Sequence, residues 1–269
     1  MPSGQQRARL AGVRATDSVE RVVLVLDLLG SAPEGLGVSD VARALGVHRS
    51  TASRLLGTLA GSRLVERDER TSRYRLGGRI VGLAAGAVAR LPVVSQARPE
   101  LEQLSAMSSE TANLSILDGT HVVYVDQVTP AQTVVMASWV GRRSPAHASS
   151  SGKAMLAFGE PRVRDKVLRG RLEAITPKTV TDPAKLRTIL DEVRRRGYAV
   201  STGELEEGLV TLAAPVLVDG RAVAAVSLSG PSFRIPVHDV SRLGRLLMDG
   251  AAAVGHRMAG RSSGTAPGR

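Results

Sequence analysis

From Asp17 to Ala60 the apolar positions recur at helical spacing. Asp17 and Glu20 form a capping-box-like start, and Val22, Val25, Leu26 and Leu29 fall at i, i+3, i+4 and i+7 on one face of a first helix, which Gly30 ends. After the loop SAPEGLG, Ser39 stands where it would cap a short second helix carrying Val41, Ala42 and Leu45 and stopping at Gly46. A third helix follows at once, with Ala52, Leu55, Leu56 and Leu59 turned inward. The period then changes. LVERDERTSRYRL alternates around a polar turn, which predicts a two-stranded hairpin between Leu64 and Leu76.

Residues 78–90, GRIVGLAAGAVAR, predict a helix of small and aliphatic residues with almost no charge inside it, closed by Pro92. Such a face needs a cover, and a partner chain supplies one most simply. Farther on, the pattern predicts a helix over 94–107, a hairpin of LSIL and HVVYVDQV about Asp118-Gly119, a strand TVVMAS, and helices near 152–169. Thr181-Asp182-Pro183 opens a helix with Leu186, Ile189, Leu190 and Val193 inward, and Arg196-Gly197 ends it. Strands YAV, LVTLAAPVLV and AVAAVSLSG follow, the last two joined at Asp219-Gly220; a final helix near 239–257 turns Leu243, Leu246, Leu247 and Val254 inward. Strands paired mostly through hairpins and flanked by helices predict an antiparallel α+β domain of sensor type, not a doubly wound nucleotide fold.

Composition narrows the chemistry. The 269 residues suffice for two modest domains, each with a core. Cysteine is absent, which removes disulfides, thiolate nucleophiles and the usual zinc and iron–sulfur ligand sets. The five histidines form no HExxH-like pair, so neither a metal nor another cofactor is expected. The start, MPSGQQRARLAGVRA, lacks the apolar run of a signal peptide, and no segment reaches the ~18 apolar residues of a membrane span. The expectation is a cytoplasmic protein without a membrane partner. The formal charge of +11 is densest in the N-terminal third and fits a polyanionic partner, with arginine-rich composition as the plainer explanation. One tryptophan, three tyrosines and two phenylalanines make poor stacking platforms for single strands or RNA, so duplex DNA is favoured.

The second and third helices, joined through Leu45-Gly46-Val47 and followed by the hairpin, have the form of a winged helix-turn-helix. With its apolar stripe inward, the third helix faces Arg49, Ser50, Ser53 and Arg54 outward, with Thr51 beside them. Arginine reads guanine edges or neutralises phosphate, and short hydroxyls bond phosphate or base. The hairpin adds Arg67, Arg70, Arg73 and Arg75. The candidate DNA-binding residues are Ser39, Arg49, Ser50, Thr51, Ser53, Arg54 and Arg73. A three-helix module with a solvated basic face is the alternative, and the convergence of helix face, basic hairpin and apolar linker favours DNA.

HASSSGKAML, residues 147–156, invites a chemical reading. A phosphate loop would need glycine at the position of His147 and Ser or Thr at that of Ala154. A Ser/Lys hydrolase has more substance, since Ser150 and Lys153 fit SxxK, but no SDN-like or KTG-like companion follows. Binding is the remaining reading: Gly152 would let backbone approach a ligand, and the helix start offers unpaired N–H groups. Lys153 and His147 are expected to hold the loop.

Residues 18–76, with SVERVVLVLDLL, VSDVARALGVHRSTASRLLGTLAGSRLVERD and a wing ending YRLG, resemble the IclR family of bacterial transcription regulators. GRRSPAHASSSGKAMLA, RRRGYAVSTGELEEGLVTLAAPV and AAVSLSGP resemble three signature segments of that family's effector domain, so the likeness spans the whole expected ordered chain. The resemblance implies a GAF-like effector domain, a linker helix that pairs DNA-binding domains, and assembly as dimers and often tetramers. It also implies control of metabolic operons by small, often acidic ligands. It places Ser150, Ser151, Ser201, Leu209, Thr211, Ser227 and Ser229 at the effector site, which Gly152 joins through the backbone approach read above. Ser227 and Ser229 share one strand face, where the alternative role is to satisfy strand neighbours. Ser201 stands where many members carry an acidic residue and Thr211 where they carry cysteine, so a carboxylate and a polyol fit this pocket equally. The expected divisions are a disordered basic tail over 1–15, a winged helix-turn-helix over 16–77, a linker helix over 78–91, an effector-binding domain over 92–259 and a disordered tail over 260–269. The expected function is a ligand-responsive regulator, repression being the expected sign, that binds operator DNA as a dimer or tetramer. The alternatives are the Ser/Lys hydrolase with a regulatory N-terminal module and a DNA-architectural protein without ligand.

Overall fold

The structure, a computed structural model, describes residues 18–88, 90–130 and 138–262. Outside the described residues lie Asp17 of the expected capping box, the tail expected over 1–15, residues 263–269 of the other tail and residues 133–137 of the expected TVVMAS strand. Chain contacts divide the molecule into two compact units, parting between Arg90 and Leu91.

In the first unit, helices α1 (Ser18–Gly30), α2 (Val38–Leu45) and α3 (Arg49–Gly61) precede the hairpin of β1 (Val65–Arg67) and β2 (Tyr74–Leu76), and α4 (Gly78–Val88) follows. The three apolar stripes meet in one core, where Val25, Val41, Ala52 and Leu56 are fully buried and Val65 and Tyr74 join from the hairpin. Leu36 bridges to Tyr74 and ties the loop before α2 to the wing.

Two helix starts differ from the sequence reading. Ser39 lies inside α2 and is exposed; the cap is Gly37, whose N–H donates to Asp40 Oδ2 at 3.2 Å. The half-buried Val38 packs on the core, which draws the helix start forward, and Asp40 sits three residues beyond the cap, where a carboxylate closes the first turn. His48 caps α3, its Nδ1 accepting from the Ser50 N–H at 3.3 Å. Between the helices, Gly46 takes φ 64°, and the N–H groups of Gly46 and Val47 reach the Arg43 and Ala42 carbonyls. This left-handed cap makes the turn.

In the second unit, α5 (Pro92–Ser108) leads into β3 (Thr111–Asp118), β4 (His121–Val128) and β5 (Arg143–Pro145). Pro92 does not close the preceding segment; it is the first residue of α5, where its missing N–H has no partner to lose. Helices α6 (Ser150–Phe158), α7 (Pro161–Arg169) and α8 (Pro183–Arg196) come next. Then β6 (Ala199–Thr202), β7 (Leu209–Val218), β8 (Arg221–Pro231) and α9 (Val240–Ser262) complete the unit. α9 runs past the expected boundary at 259.

The strands form one antiparallel sheet in the order β5-β4-β3-β8-β7-β6. β3 keeps pairing as far as Asp118 opposite His121, so its two-residue loop is Gly119-Thr120; the β7–β8 loop is Asp219-Gly220 as the sequence predicts. Side chains alternate between two cores. α5 and α9 cover one face over Leu114, Leu212, Val226 and Leu228. α6 packs across β7 and β8 on the other face, with α8 behind it. That second face carries the polar residues.

Candidate nucleic-acid interface and ligand site

Because Ala52, Leu56 and Leu59 point into the first core, α3 turns Arg49, Ser50, Ser53 and Arg54 to solvent, with Thr51 half-buried. The Ser50 hydroxyl also meets His48 Nδ1 at 2.8 Å. The wing is less uniformly available. Arg73 Nη1 donates to the Gly35 carbonyl at 2.9 Å, and Arg75 lies 3.6 Å from Asp68. Both arginines brace the module internally. Asp68 accepts from the N–H groups of Thr71 and Arg70, and these hold its carboxyl below the usual carboxylate range. The turn is thereby fixed with Arg70 exposed near its tip.

On the α6 side of the second sheet, strand register assembles the residues that the sequence could only name separately. Ser201 pairs with Thr211, Thr211 with Ser229, and Ser229 with Thr111, giving a row of hydroxyls across β6, β7, β8 and β3. Ser227 stands opposite Asn113 one step along, on the same face as Ser229. Leu209 borders this row at the start of β7, and α6 lowers Ser150 onto it, the Ser150 hydroxyl donating to Thr211 Oγ1 at 2.8 Å. Ser201 Oγ donates to the Ala148 carbonyl at 3.2 Å and ties the loop to β6. Ser151 is buried in the same turn.

The start of α6 corrects one expectation. Ser149 caps it, accepting from the Gly152 N–H at 3.1 Å. Gly152 itself faces the Ala146 backbone, which a Cβ there would strike, so its missing side chain accommodates the protein's own loop and not a ligand. The glycine requirement is packing within the site wall.

Lys153 is fully buried and donates to Glu204 Oε1 in the β6–β7 loop. The other carboxylate oxygen accepts from the Val180 N–H at 3.4 Å, and the Glu204 carbonyl accepts from Thr179 Oγ1 at 2.6 Å. Burial lowers the Lys153 pKa, opposed by the charge and hydrogen bond of Glu204. His147 Nε2–H donates to the Glu173 carbonyl at 3.0 Å; burial lowers its pKa as well, and the neighbouring Lys153 charge acts in the same direction. These groups fasten the loop ahead of α6 to the rest of the unit. Among the described residues no group of three or more His, Asp or Glu side chains could hold a metal ion.

The sequence reading missed Asn113, Glu204 and His48. Asn113 had a signal, because TANLS alternates polar and apolar and puts Thr111, Asn113 and Ser115 on one face. Glu204 had none, since 51 positions separate it from Lys153.

The chain matches the model of the IclR helix-turn-helix domain over residues 18–69 and that of the bacterial transcriptional regulator IclR C-terminal domain over 85–256. It belongs to the IclR family. The HTH-type transcriptional regulator BhcR of Paracoccus denitrificans is 35% identical over 96% of this chain and 95% of its own length. The HTH-type transcriptional repressor AllR of Escherichia coli is 31% identical, covering 88% and 89%. The crystal structure of an IclR transcriptional regulator from Alicyclobacillus acidocaldarius superimposes with a TM-score of 0.76 at 32% identity, over 89% of this chain and 97% of that one. An IclR homolog from Microbacterium hydrocarbonoxydans, complexed with 4-hydroxybenzoate, gives 0.76 at 29% identity, over 91% and 100%.

As an IclR-family protein the chain is a ligand-responsive, DNA-binding transcription regulator. Its relatives are named as regulators, and among its described residues no single helix is long and apolar enough to cross a membrane.

Proposed function

We propose that this IclR-family protein is a homo-oligomeric repressor that grips a pseudo-palindromic operator through Arg49, Ser50, Ser53 and Arg54 of α3, supported by the wing. A small metabolite bound between the start of α6 and the hydroxyl row of the sheet weakens that grip. The observation that carries the DNA half is the exposed arginine-and-hydroxyl face of α3 above a core that fixes its orientation. Thr51 flanks that face. Ser39 lies at the start of α2, where a first helix crosses the backbone in this motif, and contributes a phosphate contact. Arg73 contributes charge while bracing the Gly35 loop.

Ser150, Ser201, Leu209, Thr211, Ser227 and Ser229 line the ligand site, and Ser151 and Gly152 shape the turn above it. A relative complexed with 4-hydroxybenzoate supports a small-molecule occupant. A second copy covers α4, whose Val81 and Leu83 are 70% and 57% exposed and which has no buried residue. The name of AllR supports repression as the sign. The competing Ser/Lys hydrolase loses its base: Lys153 is committed to Glu204, and the Ser150 hydroxyl donates to Thr211. The cytoplasm is where such a regulator meets its operator.

The test is a gel shift of the full chain on its own promoter fragment across a salt series, with and without Ser229→Leu. Wild type is expected to bind with an affinity that falls as salt rises. Ser229→Leu is expected to bind equally well and to ignore metabolites that release wild type. Binding without sequence preference, or normal release of Ser229→Leu, overturns the reading.

A further inference from the structure

Among the described residues, two polar atoms on the face beneath α6 have no hydrogen-bond partner: Asn113 Oδ1 and Ser227 Oγ. Both residues are 1% exposed, so water does not serve them at the surface. They stand directly opposite each other on β3 and β8. Buried polar atoms are almost always bonded, and a pair of exceptions side by side points to a partner brought from outside. Their neighbours are engaged already. Asn113 Nδ2 donates to Ser229 Oγ at 3.3 Å, Ser115 Oγ to the Ala225 carbonyl at 3.3 Å, and Ser150 Oγ to Thr211 at 2.8 Å.

We propose that Asn113 and Ser227 are the specificity-determining floor of the ligand site and select an effector through a neutral hydrogen-bond donor, a hydroxyl or an amide N–H, at its inner end. This rests on the reading of the α6 face as the ligand site and narrows the ligand class. An amide oxygen only accepts, whereas a serine hydroxyl accepts or donates. A ligand hydroxyl satisfies both at once, donating to Asn113 Oδ1 and accepting from Ser227. A carboxylate in that place sets acceptor against acceptor. It would also be buried without a counter-charge, because Ser150, Thr211, Ser227, Ser229 and Asn113 are neutral and Lys153 is paired with Glu204. An effector that carries a carboxylate therefore enters with its hydroxyl or amide end first.

The test uses the full-length protein and matched probe sets of one carbon skeleton each: an aliphatic acid, the hydroxy acid of the same length, and the amide of that hydroxy acid, from three to six carbons. Thermal shift and calorimetric titration read the affinities. The hydroxylated or amide member is expected to bind at least about tenfold tighter than the plain acid, roughly the worth of a satisfied buried hydrogen bond. Ser227→Ala removes an unsatisfied hydroxyl without breaking a bond in the free protein. It is expected to keep or raise the unliganded melting temperature while the discrimination collapses. Asn113→Leu is expected to abolish the discrimination altogether.

A fall in the unliganded stability of Ser227→Ala makes that residue structural and overturns the proposal. So does equal binding across a set. A preference for the plain acid that Ser229→Leu removes overturns the neutral-donor inference and leaves the ligand-site reading standing. No response to any probe counts against both.

Discussion

Lys153, in the first turns of α6, donates to Glu204 in the β6–β7 loop, with the lysine side chain 1% and the glutamate side chain 10% exposed. A buried pair of this kind is costly to split because the survivor keeps its charge out of water. Lys153→Met is expected to destabilise by about 3–5 kcal/mol, and Lys153→Met with Glu204→Leu by clearly less. Urea denaturation of the two single variants and the double variant measures the coupling. Additive losses would mean that the two groups do not act as a pair.

His147 gives the same loop a pH dependence. Burial, assisted by the Lys153 charge, lowers its folded-state pKa below the ordinary 6.5, so the unfolded chain takes up the proton more readily. The contribution is fully present above pH 6.5 and is lost as pH falls through the folded-state value. His147→Gln retains a donor for the Glu173 carbonyl and cannot titrate. Unfolding midpoints across pH 7.5 to about 5 should fall less steeply in that variant than in wild type.

Gly152→Ala puts a methyl group against the Ala146 backbone, which has no side-chain freedom with which to yield. A loss of about 1–3 kcal/mol is expected, with α6 displaced from Thr211. Calorimetric unfolding checks the loss. A variant as stable as wild type would show that the loop gives way freely.

Arg54 and Arg73 separate direct DNA contact from internal bracing. Arg54→Ala is expected to weaken operator binding by about 1–3 kcal/mol without changing the unfolding midpoint, as for an arginine that reads a base. Arg73→Ala breaks the bond to the Gly35 carbonyl and is expected to lower the stability of the first unit as well as its affinity. Gel shifts and thermal melts of the two variants distinguish the roles.

If a second copy covers the exposed apolar face of α4 as proposed, Leu83→Glu is expected to lower the mass toward that of a monomer, measured by light scattering on a size-exclusion column. An unchanged mass would show that this face of α4 holds no second copy.

Where structure follows from residues a few positions apart, the sequence was sufficient. The i, i+3, i+4 stripes set α1, α3 and α8. Asp182 and Gly197 bound α8 as read, the first through its bond from the Ala184 N–H at 2.8 Å and the second at φ 85°. Gly46 marked the turn between α2 and α3, and the runs LSIL, LVTLAAPVLV and AVAAVSLSG with their turn residues marked half of β3, all of β7 and most of β8. Even locally some choices escaped, because several residues compete for one role. Gly37 with Asp40, and not Ser39, holds the start of α2, and nothing in HRS announced that His48 would cap α3.

Only the tertiary structure decided which distant residues share a place. Antiparallel register brings Ser201, Thr211, Ser229 and Thr111 into one row, and a slip of one residue on any strand would turn its polar side chains to the opposite core. The same register sets Asn113 against Ser227 and leaves an oxygen on each without a partner among the described residues. The fates of HASSSGKAML were decided the same way: Ser150 to Thr211, Lys153 to Glu204, and Gly152 to the Ala146 backbone. Propensity and periodicity are written in neighbouring side chains, but which oxygen a buried hydroxyl meets depends on how strands and helices far apart in the chain are packed together.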